Sequence, residues 1–325
     1  MRRRDALVGL LALAAASPLR ARAQAKVRRI GLLSALSGPK SELYKDAFLQ
    51  GMREAGYASG KDFVLVERYA DGMNDRLPGL AAELVQAKVD LIFTSTLQAV
   101  SAAQQATASI PIVFVAVSDP VKLGFADSLA RPGRNLTGMS NFAGDLAPKR
   151  LELLKAMLPK LARVALLVNP GSPLAAFNIS NAQAAARHLG LQMLPVNAGT
   201  ADNLEAVYAA MTRERVGALL ITGDVQHFGL RAQIAAGAAR HRIVSMSPFR
   251  EYAEAGAVMS YGTDVAYQFR HAATYVDKIL KGAKPGELPV EQPAKFELVI
   301  NRKAASAIGL AIPQELLLRA DRVIE

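Results

Sequence analysis

Arg29-Ile30-Gly31-Leu32-Leu33 and Arg163-Val164-Ala165-Leu166-Leu167 read as one short apolar strand written twice, 134 residues apart. Each is an arginine followed by four apolar residues and then a polar loop. The first loop is Ser34-Ala35-Leu36-Ser37-Gly38-Pro39, and after one further apolar residue the second is Asn169-Pro170-Gly171-Ser172. Short apolar runs bounded by turn residues are the mark of strands buried on both faces. Two further pairs keep almost the same spacing. Val216-Gly217-Ala218-Leu219-Leu220-Ile221-Thr222 follows Val89-Asp90-Leu91-Ile92-Phe93-Thr94 by 127 residues, and Ile243-Val244 follows Ile112-Val113 by 131. A nearly constant offset over three strands indicates a duplicated unit. The second copy begins near residue 142.

Between the strands the pattern turns helical: Ser41 to Ala55 with a stop at Gly56, a helix capped by Asn74 and running through Gln86, and Leu97 to Ala106. Further strands are expected at Phe63–Val66 and Ile112–Val115. Strands separated by helices of about 10–15 residues imply right-handed βαβ units and a parallel sheet covered on both faces. The expected fold class is α/β, two Rossmann-like lobes with parallel sheets.

Length and composition agree. The chain has 325 residues, 51% hydrophobic and 21% charged, enough for two packed lobes and too apolar for global disorder. There is no cysteine, which excludes disulfides, thiolate metal sites, cysteine nucleophiles and a lipid-modified N-terminal cysteine. The four histidines, His188, His227, His241 and His271, include no pair at metal-binding helical spacing. The net charge is +11, but residues 1–25 carry five arginines and one aspartate, so +7 belongs to the rest. Those cations are scattered without interleaved aromatics, which argues against a nucleic-acid groove.

Residues 1–25 read as a secretory signal peptide. Arg2-Arg3-Arg4 form a basic start, Ala6 to Ala16 an apolar run, and Ser17-Pro18 a break. Small-x-small sites at Ala21-Arg22-Ala23 and Ala23-Gln24-Ala25 place cleavage after Ala23 or Ala25. The run is shorter than the roughly 20 residues a membrane-spanning helix needs. Export by the general secretory or the twin-arginine route to the periplasm is expected.

Two like lobes leave a cleft, and ligands of open parallel sheets sit beyond the carboxyl ends of the strands. The loops there are polar in both halves. Ser34 and Ser37 follow the first strand, Ser95 and Thr96 the third, and Ser118 and Asp119 the fourth, with Asn141 where the first lobe ends. Asn169, Asp224 and Phe249 follow the matching strands of the second half. Small hydroxyl residues before helices leave backbone N–H groups for an anion. Asp119 and Asp224 are placed to answer an ammonium group, and Phe249 and Tyr261 to form an apolar wall. Hydroxyls and N–H groups outnumber cations, which suits one carboxylate.

Several stretches then resemble one family: Glu67 to Pro78 (ERYADGMNDRLP), Ile110 to Phe114 with Asp119-Pro120-Val121, and Leu129 to Gly138. Lys149 to Leu154, Phe249 to Tyr252, Met259 to Gly262 and Phe296 to Asn301 add to these. Together they resemble the ABC-transporter substrate-binding family whose better-known members bind tryptophan and other aromatic amino acids. Arg134 departs from the glycine many relatives carry there. The resemblance spans about residues 27–325. It implies a type I periplasmic binding-protein fold with a three-crossover hinge and capture of ligand by closure. The crossings are expected near Ser140–Gly144, Ser260–Thr263 and Pro285–Pro293. The lobes would then be 26–141 plus 262–290 and 142–261 plus 291–325.

No enzyme motif competes: there is no GxGxxG after a strand, no Walker loop, no GxSxG and no HExxH. No catalytic residue, metal or cofactor is assigned. The expected partners are a small ligand, most simply an apolar or aromatic amino acid, and an inner-membrane permease. Nucleic acid is not expected, and the chain is expected to be monomeric. The alternative is an extracytoplasmic sensing subunit for a membrane receptor.

Overall fold

The computed structural model of the protein describes residues 27–141, 146–198, 203–293 and 295–325; the expected signal segment 1–25 and the centre of the expected first crossing, 142–144, lie outside them. The first lobe is built on β1 (Arg28–Ser34), α1 (Gly38–Glu54), β2 (Phe63–Tyr69), α2 (Leu77–Gln86), β3 (Leu91–Ser95), α3 (Leu97–Ala106), β4 (Ile112–Val117) and β5 (Leu136–Ser140). The second begins with α4 (Ala147–Met157), β6 (Arg163–Val168), α5 (Ala175–His188), β7 (Gln192–Asn197), α6 (Leu204–Arg213) and β8 (Ala218–Ile221). It continues through α7 (Val225–Gly229), α8 (Arg231–Arg240), β9 (Val244–Ser247), α9 (Arg250–Glu254) and β10 (Met259–Gly262). Then come α10 (Val265–Leu280), β11 (Glu297–Asn301), α11 (Arg302–Ala307), α12 (Gln314–Arg319) and β12 (Arg322–Ile324).

The first sheet is parallel throughout, in the order β2-β1-β3-β4-β5. The second runs β12-β11-β10-β9-β8-β6-β7. Putting β6, β7, β8, β9 and β10 for β1, β2, β3, β4 and β5 reproduces the first order within the second. The repeated sequence pairs therefore occupy equivalent strands. The second sheet is extended by β11, antiparallel to β10, and by β12.

Period-two alternation explains the layers. Ile30, Leu32, Leu91 and Phe93 face one way, onto Phe48 and Met52 of α1 and Phe269 of α10. Leu33, Ile92, Ile112 and Phe114 face the other way, onto Leu84 of α2 and Val100 of α3. In the second lobe Leu167 and Ile221 meet Tyr208 and Ile234, while Leu166 and Leu220 meet Leu151 and Leu154. Strands apolar on both faces cannot be left open to water on either, so helices cover both.

Two local expectations change. The first helix begins at Gly38, three residues before Ser41, because Pro39 suits a first helical turn. Asn74 does not cap a helix: it opens a 3-10 turn, Asn74–Arg76, with no side-chain cap bond, and α2 starts at Leu77 with Pro78 in its first turn.

The helix after β10 leaves the second sheet. Asp264 caps α10 by accepting from Tyr267 N at 2.9 Å, and α10 then lies on α1, β4 and β5. The stretch after it touches β5: Thr137 Oγ1 donates to Leu288 O at 2.8 Å and Ser140 N to Glu291 O at 2.9 Å. The chain next enters the second sheet as β11. α1 and α10 approach at Gly51, where a Cβ would stand 2.0 Å from the Arg270 carbonyl oxygen. Glu54 and Arg270 close the same seam by a two-bond ion pair at 2.6 and 2.7 Å. Gly51→Ala is therefore expected to destabilise the fold by about 1–3 kcal/mol, the usual cost of overpacking, despite a gain in helix propensity of about 1 kcal/mol. Urea denaturation of the two proteins measures it.

Candidate functional site

A cavity of about 120 Å³ lies where the loops at the carboxyl ends of the two sheets meet. From the first lobe it takes Tyr44, Ser95, Thr96, Ser118 and Phe269; from the second, Ser172, Asp224, Phe228 and Phe249. Asn141, at the exit from β5, also lines it.

Aromatic rings run through it as a chain. Phe48 stacks on Phe93 at 4.2 Å between centroids, Phe93 meets Phe269 edge-on at 5.4 Å, and Tyr44 stacks on Phe269 at 4.9 Å. The next step crosses between lobes, Tyr44 to Phe228 at 5.7 Å, and Phe228 meets Phe249 and Tyr252 at 5.9 and 6.1 Å. Burial and the neighbouring Glu251 carboxyl push the Tyr44 phenol well above its ordinary value, so it is neutral at physiological pH. A second contact between lobes is Lys122 Nζ over the Phe177 ring, 4.8 Å from its centroid.

The polar side is built on two unusual backbone positions. Thr96 has φ 72° at the N-cap of α3, and its Oγ1 is buried without a partner. Ala116 has φ 59°, at a register shift between Phe114 and Val117 where β4 pairs with β5. Asn141 holds this bulge: its Nδ2 donates to Ala116 O at 3.1 Å and its Oδ1 accepts from Ser118 Oγ at 3.2 Å. Non-glycine residues in such conformations cost about 1–3 kcal/mol each and collect at functional sites. Here they set Ser95, Thr96 and Ser118 against the cavity beside the first turn of α3, whose N–H groups favour negative charge.

Asp224 is the one charged side chain among the described residues lining the cavity. It caps α7, accepting from Gln226 N at 2.9 Å and His227 N at 3.3 Å. Asn169 Nδ2 donates to its two oxygens at 3.1 and 3.2 Å. A smaller chamber of about 40 Å³ adjoins the cavity and reaches the buried Arg150. Burial pulls Arg150 down to about 9, which leaves it a cation at neutral pH; its Nε donates to Tyr261 O at 2.7 Å.

Of the residues singled out from sequence, Ser95, Thr96, Ser118, Asn141, Asp224 and Phe249 are brought to the cavity. The others stand elsewhere. Ser34 pairs its hydroxyl with Ser41 at 2.9 Å and borders a separate chamber. Ser37 is the N-cap of α1 and caps with its backbone oxygen. The Asp119 carboxylate accepts from Lys122 N at 3.0 Å, stabilising its own turn. Asn169 orients Asp224. Tyr261 is not part of the wall, because its ring lies against Phe296 at 6.1 Å and the second core. Sequence reasoning missed Tyr44, Phe228 and Phe269. Tyr44 and Phe269 sit on the buried faces of α1 and α10 and read as core; Phe228, four residues beyond Asp224, carries a signal in that spacing.

His227, next to this loop, is fully buried; Nε2 lies 2.7 Å from Ala198 O, so Nε2 carries the proton and Nδ1 is an unpartnered acceptor. Burial lowers its pKa, opposed by Asp224. The unfolded chain therefore binds a proton that the folded chain refuses, and stability falls as pH drops below about 6.5, the ordinary imidazole value. Thermal unfolding between pH 7.5 and 5 is expected to show this loss, and His227→Gln to flatten it.

Known proteins share the sequence pattern and the fold. A tyrosine-binding protein of Clostridioides difficile is 22% identical over 285 residues, 88% of this chain and 82% of that protein. A conserved domain protein of Vibrio cholerae has a crystal structure with TM-score 0.85 and 26% identity, covering 92% of this chain and all of that one (100%). A Streptococcus pneumoniae domain crystallised with L-Trp gives TM-score 0.83 at 23% identity, covering 92% of this chain and 100% of that one. The fold is that of type I periplasmic binding proteins. Residues 29–324 match the ABC transporter substrate binding proteins, extracytoplasmic proteins that bind small molecules, work with a transporter permease and are not enzymes. The chain belongs to the ABC transporter substrate binding protein family.

Proposed function

We propose that this protein captures an amino acid with an aromatic or other apolar side chain between its lobes and delivers it to the permease of an ABC importer. One observation carries the reading: a cavity between lobes with aromatic walls, a single charged lining residue, and an N-terminal helix turn set against hydroxyls. An α-carboxylate suits the first turn of α3 with Ser95 and Thr96. An ammonium group suits Asp224, and the rings of Tyr44, Phe228, Phe249 and Phe269 suit the side chain. A phosphate or dicarboxylate would find no lysine or arginine among the described lining residues. The tyrosine-binding relative and the L-Trp complex point the same way.

Capture proceeds by closure of a lobe of residues 26–141 plus 262–290 on one of 142–261 plus 291–325. A ligand that touches both lobes favours the closed form over the open one. The protein acts as a monomer in the periplasm, after export and removal of residues 1–23 or 1–25.

L-tyrosine or L-tryptophan is expected to raise the unfolding temperature and to bind in calorimetry. Asp224→Asn keeps a good helix cap and removes the charge. It is expected to weaken binding roughly 10- to 150-fold, the equivalent of about 1.5–3 kcal/mol for a charge-assisted hydrogen bond, with little change in unfolding temperature. Failure of the wild-type protein to bind any of a panel of amino acids would overturn the ligand assignment.

Mass spectrometry of the exported protein is expected to find Gln24 or Lys26 at the N-terminus. An intact Met1 or Arg2 terminus on that form would contradict the processing step.

A further inference from the structure

The ammonium of Lys122, in the loop after β4, crosses between the lobes outside the cavity lining. It lies over the ring of Phe177, in the first turn of α5, 4.8 Å from the ring centroid. Leu123, next to Lys122, and Leu174, at the N-cap of α5, both line the cavity. Lys122 is exposed and Phe177 is 39% exposed. The pair therefore stands on the solvent side of lining residues, at the mouth of the cavity, with one member on each lobe.

Neither side chain is spent on its own lobe. Lys122 makes no ion pair among the described residues. Helix α5 gives Ala182, Ala185 and Ala186 to the second core, and Phe177 stands outside it. The turn that carries Lys122 is held along its whole length. Asp119 Oδ1 accepts from Lys122 N and Asp119 O from Leu123 N, each at 3.0 Å. Phe125 N donates to Pro120 O at 2.8 Å, Gln104 Nε2 of α3 donates to Gly124 O at 3.0 Å, and the Phe125 side chain is buried in the first lobe. A lysine presented from a fixed turn loses less conformational entropy on meeting the ring than one on a loose loop. This gives the Asp119 carboxylate, which does not reach the cavity, a task beyond its own turn.

We propose that Lys122 and Phe177 form a latch across the mouth of the cavity, which favours the closed form and slows escape of the ligand, with Asp119 as the positioning residue that presents the lysine. A lysine ammonium over an aromatic face is attracted by the negative face of the ring quadrupole. The contact exists only where the two lobes meet, so the whole of its free energy counts toward closure and none toward the open form. At an exposed site such a contact shifts the ratio of closed to open protein roughly two- to fivefold. The pair touches no lining position itself, so it acts on how long the cavity stays shut and leaves the choice of ligand to the walls.

The latch stands on the contact between lobes; its part in retention rests on the proposed amino-acid reading, so the test begins without ligand. The chain has no cysteine, so spin labels on Met73→Cys in the first lobe and Arg187→Cys in the second are the only ones attached. Double electron–electron resonance on this pair reads the closed and open fractions. Lys122→Met keeps the stem and removes the charge; Phe177→Leu keeps an apolar side chain and removes the ring. Each is expected to lower the closed-to-open ratio roughly two- to fivefold, the double variant to lower it no further, and Lys122→Arg to match wild type. Asp119→Ala is expected to act like Lys122→Met, to add nothing in a Phe177→Leu background, and to be rescued by Asp119→Asn, which still accepts from Lys122 N. Stopped-flow release of L-tyrosine is then expected to quicken by the same factor in the two single variants. An unchanged ratio in Lys122→Met and Phe177→Leu, or independent effects that add in the double variant, overturns the latch whether or not L-tyrosine binds. L-tyrosine that binds and leaves the variants no faster than wild type overturns its part in retention. A lowered, non-additive ratio without L-tyrosine binding supports the latch and sinks the ligand reading alone.

Discussion

Parallel strands joined by right-handed crossovers carry all their carboxyl ends to one edge of the sheet, and that edge is where loops are free to vary. The protein applies this constraint twice, in β1–β5 and again in β6–β10. With the two edges turned toward each other, loops far apart in sequence become neighbours. Ser95 and Thr96, Ser118, Asp224 and Phe249 meet for this reason and for no local one. The same geometry obliges the strands to be apolar on both faces, and so calls for the helical layers that supply Tyr44 and Phe269.

The interior and the site are not separate materials. The apolar cluster beneath the first sheet continues through Phe48, Phe93, Phe269 and Tyr44 into Phe228 and Tyr252 of the second lobe. Aromatic pairs contribute about 0.5–1.5 kcal/mol beyond the area they bury. Tyr44 and Phe228 form one such pair between the lobes. The exposed ion pairs, such as Arg240–Glu205 and Arg302–Glu325, contribute about 0–1 kcal/mol each and do not decide the fold. The strain at Thr96 and Ala116 is carried by well-packed strands behind them, which is why the polar side of the cavity can hold conformations that a free loop would abandon.

Asp224 shows how one residue serves both structure and site. As the cap of α7 it is held in place by two backbone N–H groups and by Asn169, and that fixity keeps a charge aimed at the cavity. Asp119, also after a strand, spends its carboxylate on its own turn. Both look alike in sequence: an aspartate beyond an apolar run, at a place where a cap is useful.

The α/β class, the duplication and the strands that carry it were legible in the chain because burial on both faces imposes a pattern on consecutive residues, and a repeat of that pattern is visible without coordinates. The polar loops at strand ends were legible for the same reason. What the linear pattern did not contain was direction. Tyr261 alternates properly within β10, yet its ring falls on the Phe296 side rather than on the cleft, since one step in register exchanges the faces of a strand. Tyr44 and Phe269 have the spacing of core residues and are core residues, but they sit at the end of the core that the second lobe closes over. Whether a buried aromatic looks into a lobe or across to its neighbour depends on how the two lobes meet, and that arrangement is a property of the packed tertiary structure alone.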